Sequence, residues 1–332
     1  MDLLIGISIF IILIVVEYCY ILIAKKYKIF AYPGGGSAPN TPVPTGGGII
    51  FYIAYILFVN VSLYTLTNHL ISNDFFLNFY PVALCGITLI TLISFKDDIS
   101  ALSPLPRVIV HFIGISIICL QINSIIPLEW YYWVIIIICG TGFINTYNFM
   151  DGIAGITGLY SLVVLASVFY VNNLNPVINP YLIVTILISA FVFCIYNFRK
   201  KELCFAGDTG SVTMGTIIFF ILTAIILKTK NPYYLILVAV YGTDSILTII
   251  HRLIRRENIF LPHRRHLYQN LVLYGKLPHL TTASIYASVQ AIISCGFIIT
   301  PVKFHSLYFV LAISILSIVY VLMIYRYRNH SL

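Results

Sequence analysis

The sequence predicts an all-α, polytopic integral membrane protein, and three observations support this class. Of the 332 residues, 60% are hydrophobic and only 9% are charged, whereas a soluble globular domain carries about 25% charged residues. The mean hydropathy is +0.98. The apolar residues fall in runs of about 20, the length that an α-helix needs to cross a bilayer. The first run lacks the basic segment and the small-residue cleavage site of a signal peptide, so we expect a membrane helix there.

Such runs predict about 11 transmembrane helices in a single domain covering residues 1–332. With the N-terminus outside, all of the 19 lysines and arginines except Lys228, Lys230 and Lys303 lie in cytosolic segments. Positive charge concentrates on the cytosolic side of membrane proteins, so we expect the N-terminus outside and the C-terminus in the cytosol. The predicted spans are residues 3–24, 46–66, 79–96, 107–127, 130–147, 153–171, 180–198, 211–228, 232–251, 281–301 and 305–325.

The chemically rich segments all fall on the predicted cytosolic side. A channel or an alternating-access transporter places its polar groups near the middle of the bilayer, so this pattern favours an enzyme or a binding site at the membrane boundary. We attribute the net charge of +8 to topology signals and contacts with anionic lipid or phosphate, and expect no nucleic-acid partner. The predicted active-site loops cover residues 25–45, 97–106, 145–152, 199–211 and 252–280.

Two acidic motifs lie in these loops. In SFKDDIS, the adjacent carboxylates of Asp97 and Asp98 can hold a divalent cation, or act as base and orienting group. The alternative is a solvated pair with Lys96 as counter-ion. In FAGDTGS, Asp208 precedes a predicted span, where Gly207 allows close backbone approach and a helix N-terminus attracts an anion. The alternative there is a turn that caps the helix.

The segment LPHRRHLYQ combines histidines and arginines. In a helix, His263 and His266 would share one face at a spacing of three residues. Arg264 and Arg265 offer planar forks for phosphate, and their charge argues against a metal bound by the histidines. The alternative is a basic amphipathic segment that lies on anionic headgroups.

Two further motifs complete the cytosolic set. In NTYNFMDG, the polar residues Asn145, Asn148 and Asp151 recur every three positions, so a continued helix would turn them toward one polar ligand. In APNTPVPTGGG, residues 38–48, three glycines permit the backbone to approach a ligand or another helix closely. The alternative for this segment is a simple linker.

The ionisable groups inside the spans have mainly structural interpretations. Asp244 is a functional candidate by its depth, but we expect an interior carboxylate partnered by an arginine or a hydroxyl group of a neighbouring helix. We interpret Glu17 and His111 as partnered or snorkelling groups. In the loops, Glu202 and Glu257 are interpreted as local counter-ions.

Together the motifs specify a site that handles phosphate. Mg²⁺ keeps several waters and usually takes one or two carboxylates plus substrate phosphates. Arginines and histidines bind phosphates, and glycines allow close approach. This composition suits phosphoryl transfer, in which positioning and charge neutralisation supply most of the catalysis.

The motifs, in this order, resemble those of the polyprenyl-phosphate N-acetylhexosamine-1-phosphate transferases, which form glycosyltransferase family 4. PTGGG is similar to the family's first-loop signature, DD to its Asp-rich motif, and NTYNFMDG to its N-x-x-N-x-x-D-G motif. FAGDTGS resembles F-x-G-D-x-G-S, and HRRHLYQ resembles the last cytoplasmic loop. The family includes phospho-N-acetylmuramoyl-pentapeptide transferase and undecaprenyl-phosphate N-acetylglucosamine-1-phosphate transferase. The span count, the cytosolic C-terminus and HRRHLYQ look most like members that initiate the O-antigen of lipopolysaccharide.

The resemblance implies a reaction at the inner (cytoplasmic) membrane of a bacterium. A UDP-N-acetylhexosamine and undecaprenyl phosphate would give undecaprenyl-diphosphate-sugar and UMP, and a homodimer stays open. Asp208, with Asp97 or Asp98, would hold Mg²⁺, and Mn²⁺ is the alternative metal. Asp97, Asp98 and His266 would be the catalytic residues. The substrate-binding residues would be Asn145, Asn148, Asp151, Gly207, His263, Arg264 and Arg265.

Two positions depart from the family pattern. Many members carry an Asp two residues after the D-G of the third motif, where this chain has Ala154, so uracil recognition would use other groups. The first loop lacks the basic residue that often precedes P-T, and has Asn40 and Val43 instead. Either the nucleotide pocket is rearranged, or the phosphate contacts come from the basic run Arg199, Lys200 and Lys201.

Three alternatives to this function are kept. Within the family, the chain would be a peptidoglycan lipid I-type phosphotransferase. From another class, it would be a transporter or flippase for a lipid-linked solute, which calls for more intramembrane charge and an inverted repeat. The third is a membrane scaffold with inactive loops, for which Ala154 is the only indication.

Overall fold

The structure is a computed structural model that describes residues 3–31, 42–68, 80–258 and 264–327. Asn40 and His263, to which the sequence analysis assigned meaning, lie outside the described residues, as does the first part of the 38–48 motif.

The described chain consists of helices and one small pair of strands. After α1 (Leu3–Tyr27), β1 (Phe30–Ala31) pairs antiparallel with β2 (Val43–Pro44), with Phe30 opposite Pro44. The helices that follow are α2 (Ile49–Asn68), α3 (Pro81–Ile99), α4 (Pro104–Ile125), α5 (Trp130–Phe149), α6 (Ile156–Leu174), α7 (Pro180–Asn197) and α8 (Gly207–Thr229). A 3₁₀ turn (Pro232–Val238) runs into α9 (Ala239–Ile254), and α10 (Leu267–Leu273), α11 (His279–Ile299), a 3₁₀ turn (Val302–Phe304) and α12 (His305–Tyr327) complete the fold.

A helix occupies each predicted span, so the all-α, polytopic class is confirmed. Within the described residues, nine helices are long and apolar enough to cross a membrane. The other two predicted spans coincide with α2, whose described apolar part is Ile49–Ser62, and with α3, whose last turns carry Lys96, Asp97 and Asp98. The count of 11 spans and the orientation of the termini stay predictions.

Three helices begin earlier than the apolar pattern predicted, and in α4 and α8 the shift brings a charged side chain into the helical first turn. α4 begins at Pro104, where the fixed φ of proline suits the first helical position, so Arg107 lies inside the helix. α8 begins at Gly207, so Asp208 lies in its first turn. The predicted starts at residues 107 and 211 were wrong because these first turns are polar and the apolar runs begin only after them.

The core is centred on α8. Most of α8 is buried, whereas α12 is mostly exposed. α8 contacts α2, α3, α4, α5 and α6, and the hydroxyl groups of Thr91 and Thr213 lie 2.8 Å apart between α3 and α8. The N-terminus of α8 is therefore surrounded by the ends of its neighbours, which is the arrangement that builds the candidate site.

Of the predictions made for the ionisable groups inside the spans, those for Glu17 and Asp244 are confirmed and that for His111 is wrong. Glu17 is partnered as predicted, because its Oε1 accepts from the Cys204 thiol at 3.1 Å. Asp244 accepts a hydrogen bond of 2.6 Å from the hydroxyl of Tyr286 on α11, which confirms an interior partner. The interpretation of His111 was wrong: the ring is buried, and neither nitrogen has a hydrogen-bond partner among the described residues. α4 turns this ring toward the core, so it cannot reach the membrane surface.

Candidate active site

Three carboxylates meet where α3, α4 and α8 come together. Arg107, in the first turn of α4, donates from Nη1 to Asp97 Oδ2 at the end of α3. The same nitrogen donates to Asp208 Oδ2 in the first turn of α8, at 2.7 Å. One guanidinium group thus bridges two acids that are far apart in the sequence, and all three side chains keep some solvent exposure. The predicted association of Asp97 with Asp208 is present in the fold.

Asp98 has a different environment from its neighbour. Its carboxylate accepts from the backbone N–H of Asp208 at 3.0 Å and of Thr209 at 2.9 Å, and from the Thr209 hydroxyl. These N–H groups belong to the first turn of α8, where helical donors lack partners within the helix. Asp98 therefore fastens the end of α3 to the start of α8, and the helix dipole favours its negative charge.

Gly207 makes this junction sterically feasible. Its φ is +69°, a conformation that side chains disfavour, and a Cβ atom there would lie 2.5 Å from Asp98 Oδ2. This steric contact alone explains why residue 207 is a glycine, and no bound ligand is needed to explain it. Its assignment to substrate binding stays a prediction.

The first-loop glycines approach other backbone. Phe205 N donates to Pro44 O at 2.8 Å, Gly47 N donates to Phe205 O at 2.8 Å, and Gly48 N donates to Ala206 O at 3.1 Å. The described segment PVPTGGG, residues 42–48, is therefore joined to FAGDTGS by main-chain hydrogen bonds. Of the two interpretations left open for the glycines, the described contacts fit close packing against another helix.

α1 contributes a tyrosine beneath the same loop. The Tyr20 hydroxyl donates to Thr45 O at 2.6 Å. Gly46 has φ +80°, and a Cβ atom there would lie 2.3 Å from that hydroxyl and 3.5 Å from Asp98 Oδ2. Tyr20 and Asp98 thus flank the same glycine, which places α1 at the edge of the carboxylate cluster.

The NTYNFMDG motif is only partly helical. Asn145 and Asn148 lie in the last turns of α5, and Asn145 Nδ2 donates to Thr141 O at 2.7 Å. The expectation of a continued helix through Asp151 was wrong, because α5 ends at Phe149 and the chain turns at Met150. Asp151 instead leads into the Gly152 turn. The substrate-binding roles of these residues stay predictions.

The Asp151 carboxyl group has an unusual protonation equilibrium. It lies between α5 and α6, and the Thr157 hydroxyl donates to its Oδ1. Burial raises the pKa of Asp151 from 3.8 to about 7, and the charge of Asp98 acts in the same direction. The Asp98 charge therefore acts on Asp151, which links the third motif electrostatically to the carboxylate cluster. Ala154, three residues further on, is buried.

We expect Asp151 to give the protein a pH-dependent stability. Its folded pKa is raised, so the stability from the neutral carboxyl is fully present below about pH 4 and is lost as the pH rises through about 7. The melting temperature of the wild type relative to Asp151→Asn should therefore fall between about pH 5 and about pH 8. Glu129→Gln, on an exposed side chain, is the matched control and should show no such trend. A wild-type-minus-Asp151→Asn difference that is constant or rises over this range would contradict the assignment.

His266 is placed as a helix cap. The expectation of a helical face shared with His263 was wrong for the described part, because α10 begins only at Leu267 and His266 has extended backbone. Its N–H donates to Gln269 Oε1 at 3.2 Å, and its Nδ1 lies 3.3 Å from Asp244 Oδ1. The imidazole is buried. A catalytic role for His266 stays a prediction.

Tyr268 connects the last loop to the third motif. Its hydroxyl donates to the Phe149 carbonyl at the end of α5, at 3.0 Å. A Cβ atom at Gly152 would lie 2.1 Å from the same hydroxyl, so glycine is required at this contact. Two motifs that are more than a hundred residues apart thus share one packed junction.

The two arginines of the last loop face a different surface from the carboxylates. Arg265 pairs with Glu257 at 2.8 Å, and Glu257 also lies 3.4 Å from Arg252. This confirms Glu257 as a local counter-ion. Arg264 and Arg265 line a cavity beside α9 and α12 whose described lining contains no aspartate.

The carboxylate cluster fits a cation shared with substrate. Asp97 and Asp208 accept from one nitrogen, so a single positive centre can contact both. No group of three or more His, Cys, Asp or Glu side chains suited to a metal occurs among the described residues. Mg²⁺ commonly takes one or two carboxylates and completes its shell with water and phosphate, so the donor set matches that arrangement.

Arg107 is the main residue that the sequence analysis missed. It was counted only as a positive-inside charge. A cation in the first turn of a helix is disfavoured by the helix dipole, so an arginine there indicates an acidic partner, and the short connection from α3 places Asp97 nearby. Tyr20 and Tyr268 gave no comparable signal, because their contacts join distant parts of the chain. Thr157 contacts Asp151 only because the chain turns between α5 and α6.

The fold and site define a multi-pass membrane protein with a carboxylate-rich site at one end of its helices. A family model described as glycosyl transferase family 4 matches residues 80–226, and the resemblance predicted from the motifs is confirmed. The matched range contains the DD, NTYNFMDG and FAGDTGS motifs.

Several curated relatives are similar to this chain at low identity. A probable undecaprenyl-phosphate N-acetylglucosaminyl 1-phosphate transferase of Bacillus subtilis is 21% identical over 80% of this chain and 75% of its own length. A phospho-N-acetylmuramoyl-pentapeptide-transferase of a Nitratiruptor species is 28% identical over 42% of this chain and 43% of its own. A decaprenyl-phosphate N-acetylglucosaminephosphotransferase of Mycobacterium leprae is 21% identical, with coverage of 80% and 75%.

Proposed function

We propose that this protein is a polyprenyl-phosphate hexosamine-1-phosphate transferase of the bacterial cytoplasmic membrane. The observation that carries the proposal is the meeting of Asp97, Asp98 and Asp208 around the start of α8, with Arg107 between two of them. The family match over residues 80–226 and the names of the relatives support the same reaction class.

The reaction is a phosphoryl transfer between two substrates. An oxygen of the polyprenyl phosphate forms a bond to the β-phosphorus of a UDP-sugar, and the bond from that phosphorus to the oxygen bridging the two phosphates breaks. UMP leaves with the bridging oxygen, and a polyprenyl diphosphate-sugar remains. The acceptor needs no strong base, because the second pKa of an alkyl phosphate is about 6.

The side chains of the site have different proposed roles. Asp208 and Asp97 would hold Mg²⁺, which neutralises phosphate charge when it is bound. Arg107 lies between these carboxylates and would contact a phosphate oxygen once a cation takes its place. Asp98 acts as a positioning residue, since its carboxylate is occupied by the N–H groups of α8. Asn145 and Asn148 would contact the UDP-sugar from the end of α5.

Two donors are candidates within this class. A UDP-N-acetylhexosamine that starts an O-antigen or a similar surface polysaccharide is favoured by the segment HRRHLYQ. UDP-N-acetylmuramoyl-pentapeptide is supported by relatives named phospho-N-acetylmuramoyl-pentapeptide-transferase. Ala154 departs from the family pattern at a position expected to lie near the nucleotide. Both donors carry the same nucleotide, so Ala154 does not favour either of them.

We expect the purified chain to release UMP when it is given Mg²⁺, undecaprenyl phosphate and a suitable UDP-sugar. The donor panel contains several UDP-N-acetylhexosamines and UDP-N-acetylmuramoyl-pentapeptide, and UMP and the lipid product are quantified by mass spectrometry. Chelation of the metal should abolish release, and added Mg²⁺ or Mn²⁺ should restore it. Omission of undecaprenyl phosphate is the matched control.

Absence of UMP with every donor, while a characterised relative turns over in parallel, would contradict the transferase. Movement of a lipid-linked solute across proteoliposomes without UMP release would favour the transporter instead. Release of UMP that does not depend on added metal would support the transferase reaction and contradict the assignment of Asp208 and Asp97 as metal ligands.

A further inference from the structure

A cavity of about 970 Å³ lies between the ends of α9 and α12. α9 and α12 touch where the hydroxyls of Thr248 and Tyr320 lie 2.9 Å apart. Beyond this contact, toward the helix ends that carry the site loops, the cavity opens between them. Tyr274 and Tyr327, whose rings stack at 6.4 Å, lie at its far end.

One wall of this cavity is strongly basic. Four arginines line it: Arg252, Arg255, Arg264 and Arg265. Glu257 is the only acid in the described lining, and it is shared by Arg252 and Arg265. The wall therefore keeps a net positive charge after its internal ion pairs are counted, and it is suited to a phosphate group.

Apolar side chains of the same lining form an apolar wall that continues onto the exposed surface of the helices. Ile250 and Ile254 of α9 and Val321 and Ile324 of α12 line it. Ile254 is 76% exposed and Val321 is 59% exposed, so these side chains reach the outside of the bundle, where hydrocarbon chains would surround them. Tyr325, near the end of α12, is 73% exposed, and tyrosines near the ends of spanning helices are typical of a membrane interface.

This combination indicates an amphiphile rather than a soluble anion. Basic pockets between transmembrane helices at the cytoplasmic side bind the headgroups of anionic lipids. The cavity is also separate from the proposed reaction centre, because its described lining includes none of Asp97, Asp98 and Asp208. A lipid held here does not have its phosphate at the carboxylates.

We propose that this cavity binds an anionic glycerophospholipid, with the phosphate on the arginine wall and an acyl chain along α9 and α12. The bound lipid would fill the space between α9 and α12, and so hold the otherwise weakly packed α12 against the loop that leads to α10. The proposal does not depend on which reaction the protein catalyses.

The test uses the full chain in a neutral detergent and follows its melting temperature as lipid is added. Dioleoyl phosphatidylglycerol should raise the melting temperature, while dioleoyl phosphatidylcholine and inorganic phosphate should not. In Arg255→Gln the phosphatidylglycerol concentration for the half-maximal effect should increase roughly fivefold. Arg256→Gln is the matched control, because it removes the same charge one residue along, outside the described lining, and it should behave as the wild type.

A second variant tests the apolar wall without changing charge. Val321→Trp fills space between α9 and α12 and should also weaken the effect of phosphatidylglycerol, even if Arg255→Gln proves too unstable to purify. Equal effects of the two phospholipids, or equal losses in Arg255→Gln and Arg256→Gln, would overturn the proposal. So would a response to inorganic phosphate alone, or a response to undecaprenyl phosphate but not to phosphatidylglycerol.

Discussion

Asp208→Asn is expected to abolish sugar-phosphate transfer, with a loss of at least about 10²-fold in turnover. The asparagine keeps the shape of the side chain and can still accept from Arg107 through its oxygen, but it carries no charge for a divalent cation. Asp97 alone would then face two phosphate-bearing substrates and a metal. We therefore expect that raising the Mg²⁺ concentration does not restore activity, which UMP release at several metal concentrations will measure.

The control for this prediction is an acid-to-amide change at the opposite ends of the helices. Glu129→Gln precedes α5 on an exposed side chain that makes no capping hydrogen bond, so it should retain wild-type turnover. Full activity of Asp208→Asn, in protein that elutes from size-exclusion chromatography as the wild type does, would remove Asp208 from the metal assignment.

The helices were predictable because the bilayer imposes a simple requirement on the sequence. A spanning segment must satisfy its own backbone hydrogen bonds and present apolar side chains over about 20 residues, and this pattern is visible without any knowledge of neighbours. Errors arose at the ends, where polar first turns such as Gly207–Ser211 belong to the helix but not to the apolar run. Those ends are the places where the candidate site is built.

The partners of the site residues were less predictable, because they depend on how helix ends meet. The sequence predicted that Asp97, Asp98 and Asp208 lie together on the cytosolic side of the membrane. It could not distinguish the environments of the three carboxylates. In the fold, Asp98 is occupied by the N–H groups of α8, while Asp97 and Asp208 share Arg107. Adjacent residues on a helix point in different directions, so a DD pair places only one carboxylate toward a given neighbour.

The glycines of the first loop show the same limit. Gly46, Gly47 and Gly48 indicated close approach, but a ligand and a helix were equally good partners on sequence grounds. The fold places Gly48 against Gly210, so that the N-termini of α2 and α8 meet backbone to backbone. A side chain on either Gly48 or Gly210 would clash with the backbone of the other. The two glycines are more than 160 positions apart, so no local sequence pattern predicts their contact.

Gly48→Ala is therefore expected to impair folding more than any conservative change elsewhere in the loop motifs. A Cβ atom at Gly48 would lie 2.1 Å from the Gly210 Cα and 3.1 Å from the Ala206 carbonyl oxygen. Both neighbours are backbone, so no side chain can rotate away. Overpacking of this kind costs about 1–3 kcal/mol or more, which for a chain of 332 residues should lower the melting temperature by roughly 1–4 °C or more, or prevent recovery of folded protein.

Gly142→Ala is the matched control for this change. Gly142 lies within α5, where a Cβ atom meets nothing within 4 Å, and alanine is favoured over glycine in helices by about 0.8–1.0 kcal/mol. The control should melt at or slightly above the wild-type temperature in detergent. If Gly48→Ala were as stable as Gly142→Ala but had lost UMP release, the glycine would be serving a ligand. A parallel loss of stability and activity is instead what the contact between α2 and α8 predicts, because the carboxylates depend on the position of α8.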